Sequence, residues 1–134
     1  MRAAQMVQTH PAGPKQQTEA LVACIEACFD CEQACTACAD ACLHEKMVAE
    51  LVHCIRTDLD CADVCAALGR ALSRASKPDA DLIRTLTEAC IAACRACGAE
   101  CRKHASKHEH CRVCADACDA CERACRGILA ATPA

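Results

Sequence analysis

The run CIEACFDCEQACTACADAC, from Cys24 to Cys42, decides how the rest of the chain folds. Its six cysteines, Cys24, Cys28, Cys31, Cys35, Cys38 and Cys42, follow one another at steps of four, three, four, three and four residues. That alternation is the a/d seam of a helix whose buried stripe repeats every ~3.5 residues. Where Leu, Ile or Val would normally stand, this helix carries thiols, so its inward face is sulfur.

The same stepping recurs downstream. A second helix is expected from about Lys46 to Arg74, with Met47, Leu51, Cys54, Asp58, Cys61, Cys65, Leu68 and Leu72 on its seam. Asp58 is the odd member, because a carboxylate at a buried position is costly without a partner or a ligand role. Pro78 breaks the pattern, and Ser76 or Asp79 can cap the next helix. That third helix, about Ala80 to His104, places Cys90, Cys94, Cys97 and Cys101 on its seam, with Gly98 beside it to admit a close neighbouring backbone. Ser106-Lys107-His108-Glu109 has the form of a capping box, which sets the start of a fourth helix near Lys107. The fourth helix carries Cys111, Cys114, Cys118, Cys121 and Cys125, then Ile128, and Gly127 offers a terminator. Upstream, Thr18 is the expected N-cap of the first helix, which is expected to run to about His44.

These segments predict an all-α fold: an antiparallel up-down-up-down four-helix bundle with a cysteine-lined core, about 35–40 Å long at ~1.5 Å per residue. The bundle is expected over 18–130, behind a flexible N-terminal tail at 1–17 and ahead of a C-terminal tail at 131–134. A short helical piece is expected after Pro14. The links between helices are short, so the turns near His44 and His104 share one end. That end gathers His44, Met47, His53, His104, His108 and His110. The other gathers Leu21, Leu68, Leu72, Ile83, Leu86 and Ile128.

Composition narrows the function. The 134 residues include eighteen cysteines, one phenylalanine and neither tyrosine nor tryptophan, so large aromatic anchors are scarce. The formal charge of -3, without a basic run, argues against nucleic acid as a partner. No apolar signal segment opens the chain, and no run of ~18 uncharged apolar residues offers a membrane span. A cytoplasmic location is the resulting expectation, and reducing conditions there favour metal binding over cross-linking.

One buried cysteine behaves as a small hydrophobe. Eighteen would make a thin, loosely filled core, and something should occupy the space between them. Cysteines three or four apart on one helix point side by side, which suits disulfides poorly. The Cys-x-x-Cys pairs lack the βαβ setting of a thioredoxin-like redox motif. Metal ligation remains, and charge selects among metals. Four thiolates on Zn²⁺ leave -2 at each site, whereas one Cu⁺ per thiolate leaves a neutral core. Cu⁺ also prefers soft sulfur. The metal ligands are therefore read as Cys24, Cys28, Cys31, Cys35, Cys38, Cys42, Cys54, Cys61, Cys65, Cys90, Cys94, Cys97, Cys101, Cys111, Cys114, Cys118, Cys121 and Cys125. His104, His108 and His110 are either solvated turn residues or a relay that passes ions inward. Met47 is either core or a thioether donor at the mouth, and Asp58 either bonds a neighbour or touches an ion. Glu50-x-x-His53 matches half of a di-iron motif without its second copy, and is read as coincidence. The alternatives are a zinc or cadmium thiolate bundle of the metallothionein kind and a thiol redox protein.

The regular cysteine seams of all four helices, without an export signal, resemble the cytosolic bacterial copper storage proteins from about Thr18 to Ile128. The resemblance implies a non-enzymatic homotetramer of four-helix bundles, each storing multiple Cu(I) ions on core thiolates. It further implies a histidine-containing mouth, which His104, His108 and His110 would supply. Exported relatives have a methionine-rich mouth instead, which Met47 alone does not make.

Overall fold

The computed structural model describes residues 1–16, 18–74 and 76–131. Its elements are α1 (Ala3–Thr9), α2 (Glu19–Leu43), a short 3-10 turn (Val48–Leu51), α3 (Val52–Ser73), α4 (Ala80–His104) and α5 (Glu109–Ala131). The long helices α2 to α5 form a ring: α2 packs on α3 and α5, and α4 packs on α3 and α5. This is the expected antiparallel four-helix bundle, and its core is the seam side of each helix. Every one of the eighteen cysteines is free and buried. The boundary expected at Gln17 and the tail at 132–134 lie outside the described residues, while Ala131 belongs to α5.

The helix bounds have local chemical causes. α4 starts where expected because the Asp79 carboxylate accepts the backbone N–H of Leu82 at 3.0 Å, so Asp79 is the cap and Ser76 is not. Outer faces carry ion pairs at helical spacing, such as Arg84–Asp81 at 2.8 Å and Arg126–Glu122 at 2.8 Å. Each exposed pair contributes only about 0.3–0.5 kcal/mol. The apolar end of the bundle is closed by Leu68, Leu72 and Ile128, with Leu21, Ile83 and Leu86 packed against them.

Several details differ from the sequence reading. The N-terminal segment holds a helix before Pro11 and not after Pro14, and α1 turns Ala3 and Val7 into the core cluster beside Ile25. Helix α3 begins at Val52, because residues 48–51 wind as a 3-10 turn; this leaves Met47 more than a third exposed and off the seam. The capping box at Ser106 does not form. Backbone N–H groups of Lys107 and His108 return to the His104 carbonyl, and the His108 carbonyl accepts the first bond of α5 from Cys111 at 3.0 Å. Gly127 lies inside α5, where a side chain would meet nothing within 4 Å. Gly98 does mark a close approach, but to side chains: a Cβ there would lie 3.4 Å from the Cys118 Cβ and from Asp119 Oδ1. The space holds the α4–α5 ion pair of Arg102 with Asp119, at 2.7 Å. Gly69 plays a similar part against Phe29, whose ring would come within 2.9 Å of an added Cβ.

Replacing Asp79 with Ala removes the α4 cap and should cost about 1 kcal/mol. Thermal unfolding of the metal-free, reduced protein should then show a Tm lower by roughly 3–5 °C. Asp79→Asn should stay close to the parent, and an Asp79→Ala variant as stable as the parent would rule out this cap.

A candidate thiolate metal centre

Antiparallel packing of two regular seams sets cysteines opposite one another in register. Between α2 and α5 the rungs are Cys24–Cys125 at 3.9 Å, Cys28–Cys121 at 4.0 Å, Cys31–Cys118 at 3.8 Å, Cys35–Cys114 at 3.6 Å and Cys38–Cys111 at 3.9 Å. Between α3 and α4 they are Cys54–Cys101 at 3.7 Å, Cys61–Cys94 at 3.8 Å and Cys65–Cys90 at 3.7 Å. Asp58 completes this second ladder, with Oδ1 accepting from the Cys97 thiol at 3.0 Å. Cross-links between the ladders, such as Cys31–Cys61 at 3.9 Å and Cys65–Cys121 at 3.9 Å, merge them into one sulfur column. The thiols close the core by touching one another, so the bundle is narrow where the sequence reading anticipated loose space.

This spacing suits a metal. An ion about 2.3 Å from each of three sulfurs holds them about 4.0 Å apart, and from each of four about 3.8 Å apart. Sets of four thiols whose sulfurs all lie within 4.8 Å of one another run along the column. They include Cys28, Cys90, Cys121 and Cys125 toward the apolar end, and Cys31, Cys35, Cys61 and Cys118 in the middle. Cys38, Cys42, Cys54 and Cys111 form another toward the histidine end.

Buried thiols in contact share protons unequally. Hydrogen bonds with Cys125 and Cys28 bring Cys24 down to about 5, and hydrogen bonds with the same two cysteines bring Cys121 to about 7. Burial and the charge of Cys38 push Cys42 up to about 11. Cys31 is held far below the ordinary thiol value by its hydrogen bonds, first with Cys118, while its neighbour Cys35 is held far above by its bonds with Cys114 and Cys118. The thiolate, not the thiol, is the metal ligand, so each captured cation must displace protons from the column.

Asp58 is fully buried within this column. Its Oδ1 also accepts from Cys114 at 3.3 Å and Cys101 at 3.4 Å, whereas Oδ2 has no hydrogen-bond partner. Burial first, and then its surroundings of cysteines, pushes the carboxyl up to about 12.

At the histidine end the predicted residues separate. His110 Nδ1 lies 3.3 Å from the Cys38 sulfur and 3.7 Å from that of Cys111, and its Nε2 lies 2.8 Å from Glu45 Oε2. His108 is buried, stacks on His110 with ring centroids 5.6 Å apart, and sets Nδ1 3.0 Å from the same Glu45 oxygen. His104 is partly buried and pairs with Glu100 at 3.4 Å. His44, His53, Glu50 and Met47 are exposed, so these four do not join the cluster. Burial works to lower the His110 pKa, but its bonds to Cys38 and Glu45 outweigh this and raise it. Glu45 is held below the usual carboxylate range by the hydrogen bond with His110. The sequence reading missed Glu45 and Glu100. Glu100 was signalled by its place four residues before His104, and Glu45 by its turn beside His44.

A four-helix bundle whose axis is a continuous column of thiols, in sets of four at metal-spanning distances, is a metal–thiolate protein. The chain belongs to the copper storage protein family, whose family model matches residues 17–130. It is similar to the copper storage protein Ccsp from Streptomyces lividans loaded with 10 copper equivalents, at 53% identity and a TM-score of 0.93, covering 97% of this chain and 99% of that one. A second structure from Streptomyces lividans, described as a cytosolic copper storage protein with five coppers, shares 57% identity over 86% of this chain and 96% of its own, with a TM-score of 0.84. Cu(I)-bound BsCsp3 is similar at 41% identity and a TM-score of 0.70, over 81% of this chain and 96% of that one.

Asp58 gives the metal-free protein a pH signature. Burial raises its carboxyl pKa in the folded chain, whereas the unfolded chain loses the proton above about pH 3.9. Folded stability therefore falls as pH rises above the unfolded value, where the folded chain holds a proton that the unfolded chain has lost. Asp58→Asn removes this slope while keeping the shape. Thermal unfolding across pH should show the variant gaining on the parent as pH rises, and a constant gap would contradict a neutral Asp58.

Proposed function

We propose that the protein takes up and stores many Cu(I) ions in the cytosol on its core thiolates, without turnover chemistry. The observation that carries this reading is the pair of in-register thiol ladders, which bring all eighteen buried sulfurs into one column. Charge supports copper over zinc. Each Cu⁺ replaces one proton and leaves the column neutral, whereas tetrathiolate zinc would stack charges of -2 in a dry interior. Burial weighs against a redox role, since reactive thiols are low in pKa and accessible, and these eighteen are covered. The copper-loaded Streptomyces lividans relative and the Cu(I)-bound BsCsp3 agree with this reading. The cytosolic location rests on the Streptomyces lividans relative described so, and among the described residues no helix is long and apolar enough to cross a membrane.

Ions enter this column at the histidine end. The opposite end is plugged by Leu68, Leu72 and Ile128, whereas His110 Nδ1 reaches the outermost thiols Cys38 and Cys111. His108 and His104 line the approach, and Met47, being exposed, has no part in the core. Asp58 replaces a thiol in the α3–α4 ladder and offers an oxygen ligand among Cys97, Cys101 and Cys114. A homotetramer of bundles is the assembly the family resemblance implies, and exposed Leu59, Leu82 and Val113 give the outer faces apolar contact points.

Anaerobic titration of the reduced protein with Cu⁺ against a competing chelator should show tight uptake to about one ion per cysteine, on the order of eighteen. Proton release should accompany it. Saturation at about four or five divalent ions, with weak Cu⁺ uptake, would instead identify a zinc bundle.

A further inference from the structure

We propose that Glu45 is a positioning residue: it holds the proton of His110 on Nε2 and so makes Nδ1, the nitrogen beside Cys38 and Cys111, the one that meets incoming ions. This rests on reading the histidine end as the mouth.

A neutral imidazole has one nitrogen that donates and one that accepts. Which is which depends on the partner held by the other nitrogen. The Glu45 carboxylate, an acceptor only when ionised, sits 2.8 Å from His110 Nε2. Two lone pairs at that distance would repel, so Nε2 carries hydrogen. The nitrogen left to give up or lack a proton is Nδ1, 3.3 Å from the Cys38 sulfur. The opposite assignment would turn an N–H toward the thiols and leave no lone pair for a soft cation.

The same oxygen braces the second ring. His108 Nδ1 lies 3.0 Å from Glu45 Oε2, and the two imidazoles stack at an interplanar angle of 21°. By the same reasoning the hydrogen of His108 faces Glu45, and its buried Nε2, without a hydrogen-bond partner, is left as the bare acceptor. Carboxylates that hold the far nitrogen of a metal-binding histidine fix its ring and raise its basicity, and losing one typically costs about 10- to 100-fold in affinity or activity. Glu45 comes from the turn after α2, where its N–H bonds the Cys42 carbonyl at 3.2 Å, while His110 opens α5. The contact thus fixes the mouth across two helices that have no direct loop between them.

The test uses the full-length reduced protein labelled with ¹⁵N-histidine, and needs no metal for its first readout. Two-bond ¹H–¹⁵N spectra at mildly alkaline pH should show His110 in the Nε2–H form, and Glu45→Ala should show a mixture. Stopped-flow mixing with Cu⁺ should find the first ions taken up about 10-fold more slowly by Glu45→Ala, with final capacity unchanged. Glu50→Ala removes an equal charge from an exposed site on the neighbouring turn and should load like the parent. The proposal fails if Glu45→Ala keeps the parent tautomer, or if Glu50→Ala slows loading as much. If His110→Ala loads at the parent rate, the mouth reading fails, and with it the loading half of the proposal; the tautomer half is judged by the spectra alone.

Discussion

Sulfur against sulfur is the contact on which this bundle depends. A cysteine at every seam position but a few gives each helix a short, even inner face, and four such faces close until the thiols touch at 3.6–4.0 Å. That closeness limits stability, because a thiol buries little apolar area compared with the leucine it replaces. It also means that the donor atoms are already spaced as a metal polyhedron requires. Replacement of each thiol proton by a monovalent cation leaves the charge of the column unchanged.

The two ends of the column differ in chemistry for physical reasons visible in their residues. Leucine and isoleucine at one end exclude water and offer no donor. At the other, stacked imidazoles held by a carboxylate sit over the outermost thiols, so donor softness increases inward from nitrogen to sulfur. Asp58 interrupts the sulfur with a single oxygen roughly where the mouth gives way to the middle of the column. Burial favours its protonated form, and it sets an oxygen donor among the sulfurs of Cys97, Cys101 and Cys114.

Much of this was legible in the chain. The steps of four and three gave the helices, their inward faces and the antiparallel order, and they also placed Asp58 among the seam cysteines. Bounds were less legible where backbone geometry, and not periodicity, sets them. The 3-10 turn at Val48–Leu51 shifts Met47 out of the register that the α3 seam implied. Gly127 is tolerated inside α5 because its surroundings are open and the helix continues on both sides. Helix α1 was missed because its apolar content is small and its stability comes from docking against α2, which no local pattern reports. The mouth was only partly legible: grouping histidines by end was sound for His108 and His110. Their relation to Glu45 depends on how a turn and the first residues of a distant helix meet in space.

Anomalous diffraction at the copper edge, from crystals of the fully loaded protein, tests the thiol column most directly. Copper should lie in a single file of clusters between the two thiol ladders, with the backbone of α2 to α5 displaced by no more than about 1 Å from its metal-free arrangement. Copper bound on outer faces, or helices parted to expose the cysteines to solvent, would contradict a column built in advance of its ions.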